Sequence, residues 1–241
     1  MYLLHTEELK MFVGQLKKMV DNKVASRAAE IDEKGEFPWD LKQLFQETGL
    51  FGLAVPEEFG GTHQGHLYTC LAVEEIARAC VSSSLIVQGQ ALGWDPILIG
   101  GTEEQKKKYG PLVSTGEVII SFGLTEPGAG SDSAAMATRA VKKGDKYIIN
   151  GTKCFITNGP VANLITVFAM TDASKGVKGI SAFIVPTDSP GYSVARWESK
   201  MGIKGSPTGQ LVFDNVEIPA ENLIGQEGKG FVYAMKTLDR S

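Results

Sequence analysis

The sequence predicts an α+β protein: an N-terminal all-helical domain (1–115), then an antiparallel β-sandwich or barrel domain (116–228), then the start of a C-terminal helix (229–241). Two observations carry this expectation. The spacing of apolar residues shifts from about 3.6 towards about 2 beyond Gly116. Glycine, 28 of 241 residues, crowds into the same second half, where many backbone positions need a left-handed conformation or a close approach. With 43% hydrophobic and 22% charged residues, disordered, collagenous and disulfide-stapled classes are excluded.

The elements follow in order. From Thr6 to Glu33 the residues Leu9, Phe12, Val13, Leu16, Met19, Val20, Val24, Ala28 and Ile31 recur at helical spacing, and Gly35 can end the helix. One long amphipathic helix is expected there. Pro38 suits the first turn of a second helix carrying Leu41, Leu44 and Phe45, with Gly49 placed for a left-handed C-cap. After Gly60-Gly61, a third stripe runs through Leu67, Leu71, Ile76, Ala77 and Cys80. Asp95-Pro96 reads as the start of a turn or helix. Thr102 and Gln105 form a capping box that opens a short helix through Leu112 and Val113, with lysines 106 to 108 on a solvated face. Beyond Gly116, short β-branched or aromatic runs at 118–124, 139–142, 147–150, 153–157, 164–170, 180–185, 192–197 and 211–213 read as strands, and Lys143-Gly144-Asp145 as a hairpin turn. From Gly230 the pattern turns helical again with Phe231, Ala234, Met235 and Leu238, a helix for which the pattern offers no packing partner. Trp94 and Trp197 read as packing residues.

Charge and composition bound the function. Lys and Arg total 24 against 28 for Asp and Glu, a net −4 without a basic stripe, so no nucleic-acid partner is expected. No apolar run approaches the roughly 18 residues of a membrane span. The first residues carry neither a secretory signal nor a transit leader, which predicts a cytoplasmic protein, or a mitochondrial-matrix one if it is eukaryotic with its leader removed. Cys70, Cys80 and Cys154 are scattered and predict reduced thiols. His5, His63 and His66 lack partner carboxylates at ligand spacing, so no metal is expected.

The segment from Phe122 to Asp132 packs three glycines and a proline around two hydroxyls directly after a strand. Glycine there lets backbone N–H groups close on an anionic or heteroaromatic ligand. The spacing is neither that of a Rossmann loop nor that of a Walker loop. These residues alone leave a structural turn and a ligand loop equally open. Glu126, beside Pro127, is expected to cap the loop through its own hydrogen bonds rather than act as a base. Lys200, Lys204 and Ser206 lie in a Gly-rich loop read as solvated.

The run Gly123-Leu124-Thr125-Glu126-Pro127-Gly128-Ala129-Gly130-Ser131-Asp132, with Ala135, resembles the first signature of the acyl-CoA dehydrogenases. Gly151-Thr152-Lys153, Phe155-Ile156-Thr157-Asn158-Gly159, Lys200-Met201-Gly202, Leu211 to Val216 and Pro219 to Gly225 extend the likeness over essentially the whole chain. The resemblance implies FAD as cofactor, an acyl-CoA substrate oxidised to a trans-2-enoyl-CoA, electron-transfer flavoprotein as acceptor, and a homo-oligomer, tetramer or dimer. It implies that Phe122, Gly123, Leu124, Thr125, Glu126, Pro127, Gly128, Ala129, Gly130 and Ser131 line the flavin and its pyrophosphate, with Ser131 also meeting the CoA side. Phe155, Ile156 and Thr157 become the second flavin contact, although many members carry Trp where Phe155 stands. The family's carboxylate base comes from a C-terminal helical bundle, so no catalytic residue is expected within these residues, and the chain alone is expected to be inactive. A non-catalytic FAD- or CoA-binding scaffold and an enoyl-CoA reductase of the same family are the alternatives.

Overall fold

The computed structural model describes residues 6–62 and 64–240, so His5 and His63 lie outside the described residues. The chain divides into two units. The first comprises residues 1–91, 111–117 and 199–206, and the second comprises residues 92–110, 118–198 and 207–241.

The first unit is helical. Helix α1 (Glu7–Met19) is capped by the Thr6 hydroxyl, which accepts from the Leu9 N–H at 3.2 Å. The expected single helix is interrupted by a π turn at Val20–Val24 and a 3₁₀ turn at Ala25–Arg27 before α2 (Ala28–Lys34), which ends on left-handed Gly35. A π turn adds a residue to the local repeat, and the buried Val20 and Val24 keep their inward direction through it, so the apolar spacing alone does not reveal the break. Helix α3 (Trp39–Glu47) is followed by left-handed Gly49, as expected, and α4 (His66–Ala79) packs on α1, with the Phe12 and Tyr68 rings 5.0 Å apart. Lys200 donates to the Ser206 carbonyl, and Ser206 is buried, so that loop is tied to itself.

Helix α5 (Val81–Gly100) contributes to both units. It contains Pro96, which corrects the expectation of an element starting at Asp95-Pro96. The helix is apolar around most of its circumference and so shows no amphipathic stripe to extend through the proline. Pro96 cannot donate to the Leu92 carbonyl. Beside that gap the Gly93 carbonyl accepts from the Thr166 hydroxyl at 2.9 Å. Helix α6 (Glu103–Ser114) opens with the expected capping box: Thr102 N–H donates to Gln105 Oε1 at 3.0 Å and Gln105 N–H donates to Thr102 Oγ1 at 3.2 Å.

The second unit is built on one seven-stranded sheet of β1 (Ile120–Gly123), β2 (Arg139–Lys143), β3 (Lys146–Thr157), β4 (Leu164–Met170), β5 (Ile180–Pro186), β6 (Tyr192–Trp197) and β7 (Thr208–Pro219). The strand order is β1-β4-β2-β3-β7-β6, with β5 on β4. Most pairs are antiparallel, including the β2–β3 hairpin across left-handed Gly144, but β1 and, at Arg139, β2 run parallel to β4. The expected antiparallel sheet holds for most of the domain; its parallel pairs with β4 are joined by long connections, which alone can link parallel neighbours.

Two expected strands, 147–150 and 153–157, are one. Gly151 reads as a punctuating turn in sequence, whereas here it sits at a register shift within β3 with φ +154°, and a Cβ on it would stand 2.3 Å from Thr138 Oγ1. Helix α7 (Gly230–Arg240) does find a partner, packing on β4 and β5 through Ala234 and Thr237. Trp94 is fully buried, but Trp197 is 57% exposed on edge strand β6, which corrects its packing role. No helix among the described residues is long and apolar enough to cross a membrane.

Asp95 on α5 is only 3% exposed, with Arg240 at 3.7 Å. Burial pushes its carboxyl up from 3.8 to about 6, against the pull of Arg240. The folded state therefore holds this proton more tightly than the unfolded one, and stability falls as pH rises from 3.8 to about 6. Asp95→Asn is expected to abolish that slope in denaturant titrations at several pH values and to raise stability at neutral pH by up to about 3 kcal/mol. Gly151→Ala combines a disfavoured φ with the clash on Thr138, and thermal unfolding is expected to show a loss of at least about 2 kcal/mol.

Candidate functional site

Strand β1 delivers the chain to the glycine-rich loop. Gly123 is its last residue, and a Cβ there would lie 2.9 Å from Ile165 Cγ2, so this glycine serves the close packing of β1 on β4. The next residues form a tight turn in which Glu126 and Ala129 exchange both backbone hydrogen bonds at 3.1 Å, leaving Pro127 and Gly128 at the exposed tip.

Beneath the turn the Glu126 side chain points inward. Its Oε1 accepts from Lys153 Nζ at 2.7 Å and from the Thr138 N–H at 3.1 Å, and its Oε2 accepts from the Ala137 N–H at 2.6 Å. Lys153, fully buried on β3, also donates to the Leu124 carbonyl at 3.1 Å, and the Cys154 N–H donates to the Thr125 carbonyl at 2.9 Å. Burial pushes the Glu126 carboxyl up, but the charge and hydrogen bond of Lys153, with the donors at 137 and 138, outweigh it and hold the group below its usual 4.5. Burial likewise draws Lys153 down from 10.5, to about 8, against the pull of Glu126. Both groups are charged at neutral pH. Glu126 is thus a loop anchor, as its sequence context suggests, and its oxygens are occupied by protein donors.

The second segment is the end of β3. Its register against β7 shifts between Lys153 and Ile156, and Phe155 sits in the shift with φ +57° and 62% exposure. A left-handed phenylalanine costs about 1–2 kcal/mol relative to an extended one. The bulge turns the ring outward while Cys154 and Ile156 stay buried. Since Cys154 bonds Thr125, the exposed ring and the glycine-rich loop belong to one local surface of the second unit.

The sequence-derived site residues therefore sort into two groups. The side chains of Leu124, Glu126, Ala129 and Ile156 are buried, and Gly123 packs on β4. Pro127, Gly128, Gly130, Ser131 and Phe155 are exposed, with Phe122, Thr125 and Thr157 half-buried. Gly128 and Gly130 differ from Gly123 in a telling way. Neither has a positive φ, and a Cβ on either would meet nothing within 4 Å. No demand of the fold explains glycine at these two positions. They leave open space on a loop that is tied, through the Thr125 carbonyl and the Cys154 N–H, to the strand bearing the exposed Phe155. Lys153 was not among the expected site residues. A lysine in a strand reads as a solvent-facing polar residue, although counting by twos from Tyr147 and Ile149 puts it on the inward face.

Residues 121–216 match the family model "Acyl-CoA dehydrogenase, middle domain", and residues 6–117 match "Acyl-CoA dehydrogenase, N-terminal domain". The chain belongs to the acyl-CoA dehydrogenase family. Among curated acyl-CoA dehydrogenases, the cyclohex-1-ene-1-carbonyl-CoA dehydrogenase of Syntrophus aciditrophicus (strain SB) is 47% identical over 234 residues, 97% of this chain and 56% of that protein. A chain of the structure described as "Electron transferring flavoprotein of Acidaminococcus fermentans: Towards a mechanism of flavin-based electron bifurcation" superposes with a TM-score of 0.94 at 42% identity, covering 98% of this chain and 62% of that one. A glutaryl-CoA dehydrogenase from Mycobacterium smegmatis in complex with FADH2 superposes with a TM-score of 0.89 at 31% identity, covering 98% and 60%. The chain thus spans about three fifths of the length of such relatives.

The strain at Phe155 gives a check on this surface. Phe155→Asn, a residue that tolerates the left-handed region, is expected to raise thermal stability by about 1 kcal/mol, because the exposed ring makes little packing to lose. No gain, or a loss, would show that the bulge is held by the phenylalanine itself.

Proposed function

We propose that this chain forms the FAD- and thioester-facing part of an acyl-CoA dehydrogenase, a flavoprotein that oxidises a CoA thioester across its α,β bond to the trans-2-enoyl-CoA. The observation that carries the reading is the pair of open, unstrained glycines, Gly128 and Gly130, beside the outward Phe155. The relatives named above add that such proteins act on CoA thioesters and that one holds reduced FAD.

When bound, FAD would supply the acceptor for the two electrons and the β-hydrogen removed from the thioester. The chain's own contribution is binding and orientation. Phe155 offers an aromatic face against which a flat ring system stacks, and the hydroxyls of Thr125 and Thr157 offer hydrogen bonds to the polar edge of that ring. The loop tip at 127–131, free of side-chain bulk at 128 and 130, admits a pyrophosphate to backbone N–H groups, with Ser131 facing the CoA side. Glu126 is not the base that takes the α-proton, since its carboxylate is buried and bound by Lys153 and two N–H groups. We place no catalytic base among the described residues. Electrons leave to an electron-transfer flavoprotein, a partner to which the flavoprotein description of one superposing structure also points.

The test is a titration of the chain with FAD, followed by the visible flavin band and by quenching of flavin fluorescence. Saturable binding is expected. Gly130→Val is expected to keep the melting temperature, because its Cβ has open space, and to weaken FAD by more than about tenfold by filling that space. A Gly130→Val chain that binds FAD as well as the unaltered one would sink the placement of the site.

A further inference from the structure

We propose that Lys153 and Glu126 are positioning residues for the flavin-facing backbone of the loop, aiming it from beneath. This inference rests on the FAD reading above.

The Leu124 carbonyl is held inward by the Lys153 ammonium at 3.1 Å. The peptide unit is trans, so its N–H, that of Thr125, points away from the buried Lys153 ammonium. Among the described residues no acceptor takes it. On the other side of Thr125 its own carbonyl is fixed by the Cys154 N–H, so both peptide planes flanking this residue are set by consecutive residues of β3. Lys153 thereby fixes the direction of this donor from a strand whose residue two positions on, Phe155, is exposed.

Glu126 completes the device at a distance. Its carboxylate gathers the N–H groups of Ala137 and Thr138, eleven and twelve residues on, and closes the segment between them into a loop with one polar root. Four contacts converge on this root: two N–H groups, one ammonium and, through that ammonium, one carbonyl.

Stability alone is a poor account of such an arrangement. Taking both charges out of water costs about as much as their attraction returns, and well-packed apolar replacements of buried ion pairs are often neutral or stabilising. What an apolar pair cannot do is select which carbonyl faces inward and which N–H faces outward. The pair specifies the orientation of a backbone that the fold would otherwise hold in several ways.

The experiment separates orientation from stability. Lys153→Met and Glu126→Gln, singly and together, are compared with the unaltered chain by thermal unfolding, by amide hydrogen exchange across residues 124–138 without FAD, and by FAD titration. Each single change leaves one buried charge unpaired and is expected to lower the melting temperature. The double change removes both charges and is expected to recover it, yet to leave exchange at 124–131 faster and FAD binding weaker by at least about tenfold each. If loop protection and FAD affinity return together with the melting temperature in the double variant, the pair is only structural and the inference falls. It falls as well if the double variant matches the unaltered chain in all three readouts. An unaltered chain that takes up no FAD overturns the flavin reading and this inference with it; unaltered and doubly altered chains that bind FAD equally overturn this inference alone.

Discussion

The contact between Glu126 and Lys153 governs three separate stretches of chain: the turn after β1, the residues leading into β2 and the middle of β3. None of these is close to another in sequence, and each supplies only one or two groups. Because the ammonium is fully buried and the carboxylate nearly so, neither can exchange its protein partners for water without a large cost, and the geometry is stiff for that reason. The exposed half of the surface inherits this stiffness. Pro127, Gly128 and Ser131 stand on a root that cannot slide, and Phe155 is thrown outward two residues beyond the lysine that forms it.

Glycine in this chain does three different jobs, and only the structure tells them apart. Gly144 and Gly49 supply left-handed turns, Gly123 and Gly230 allow backbones to approach, and Gly128 and Gly130 do neither. Gly14 and Gly202 share that last property, so it bears on function at 128 and 130 only together with their place in the loop tied to the strand of the exposed Phe155. A simple excess of glycine cannot make that distinction.

The broad plan was legible in the residues. The change of period beyond Gly116, the capping box at Thr102 and the hairpin at Gly144 are local signals, each read by a rule that needs no distant partner. The features that escaped are those decided at long range or by backbone strain. Gly151 marks a bulge rather than an end because Thr138 and β7 hold the chain extended through it. Pro96 rides inside a helix that has no polar face to betray its continuation. Phe155 adopts a conformation that ordinarily announces itself through glycine or asparagine, and here it is carried by a bulky aromatic with no such marker. Lys153 could be placed by parity but not by polarity, and its role depends on a glutamate 27 positions earlier. The chemistry of the loop was open to either reading on physical grounds until its motifs were set beside those of a family.

The capping box at the start of α6 has a consequence for how such signals are read. By rule, glutamate and glutamine are synonyms three residues after the cap, since either oxygen can accept the cap's N–H. In this chain the other end of Gln105 also donates, to the Glu221 carbonyl at 2.7 Å and the Leu223 carbonyl at 2.8 Å. A glutamate would close the box and then set an oxygen against two more oxygens. The degeneracy of the local code is therefore broken by a strand-end segment more than a hundred residues away, and two spellings that mean the same to the helix mean different things to the fold.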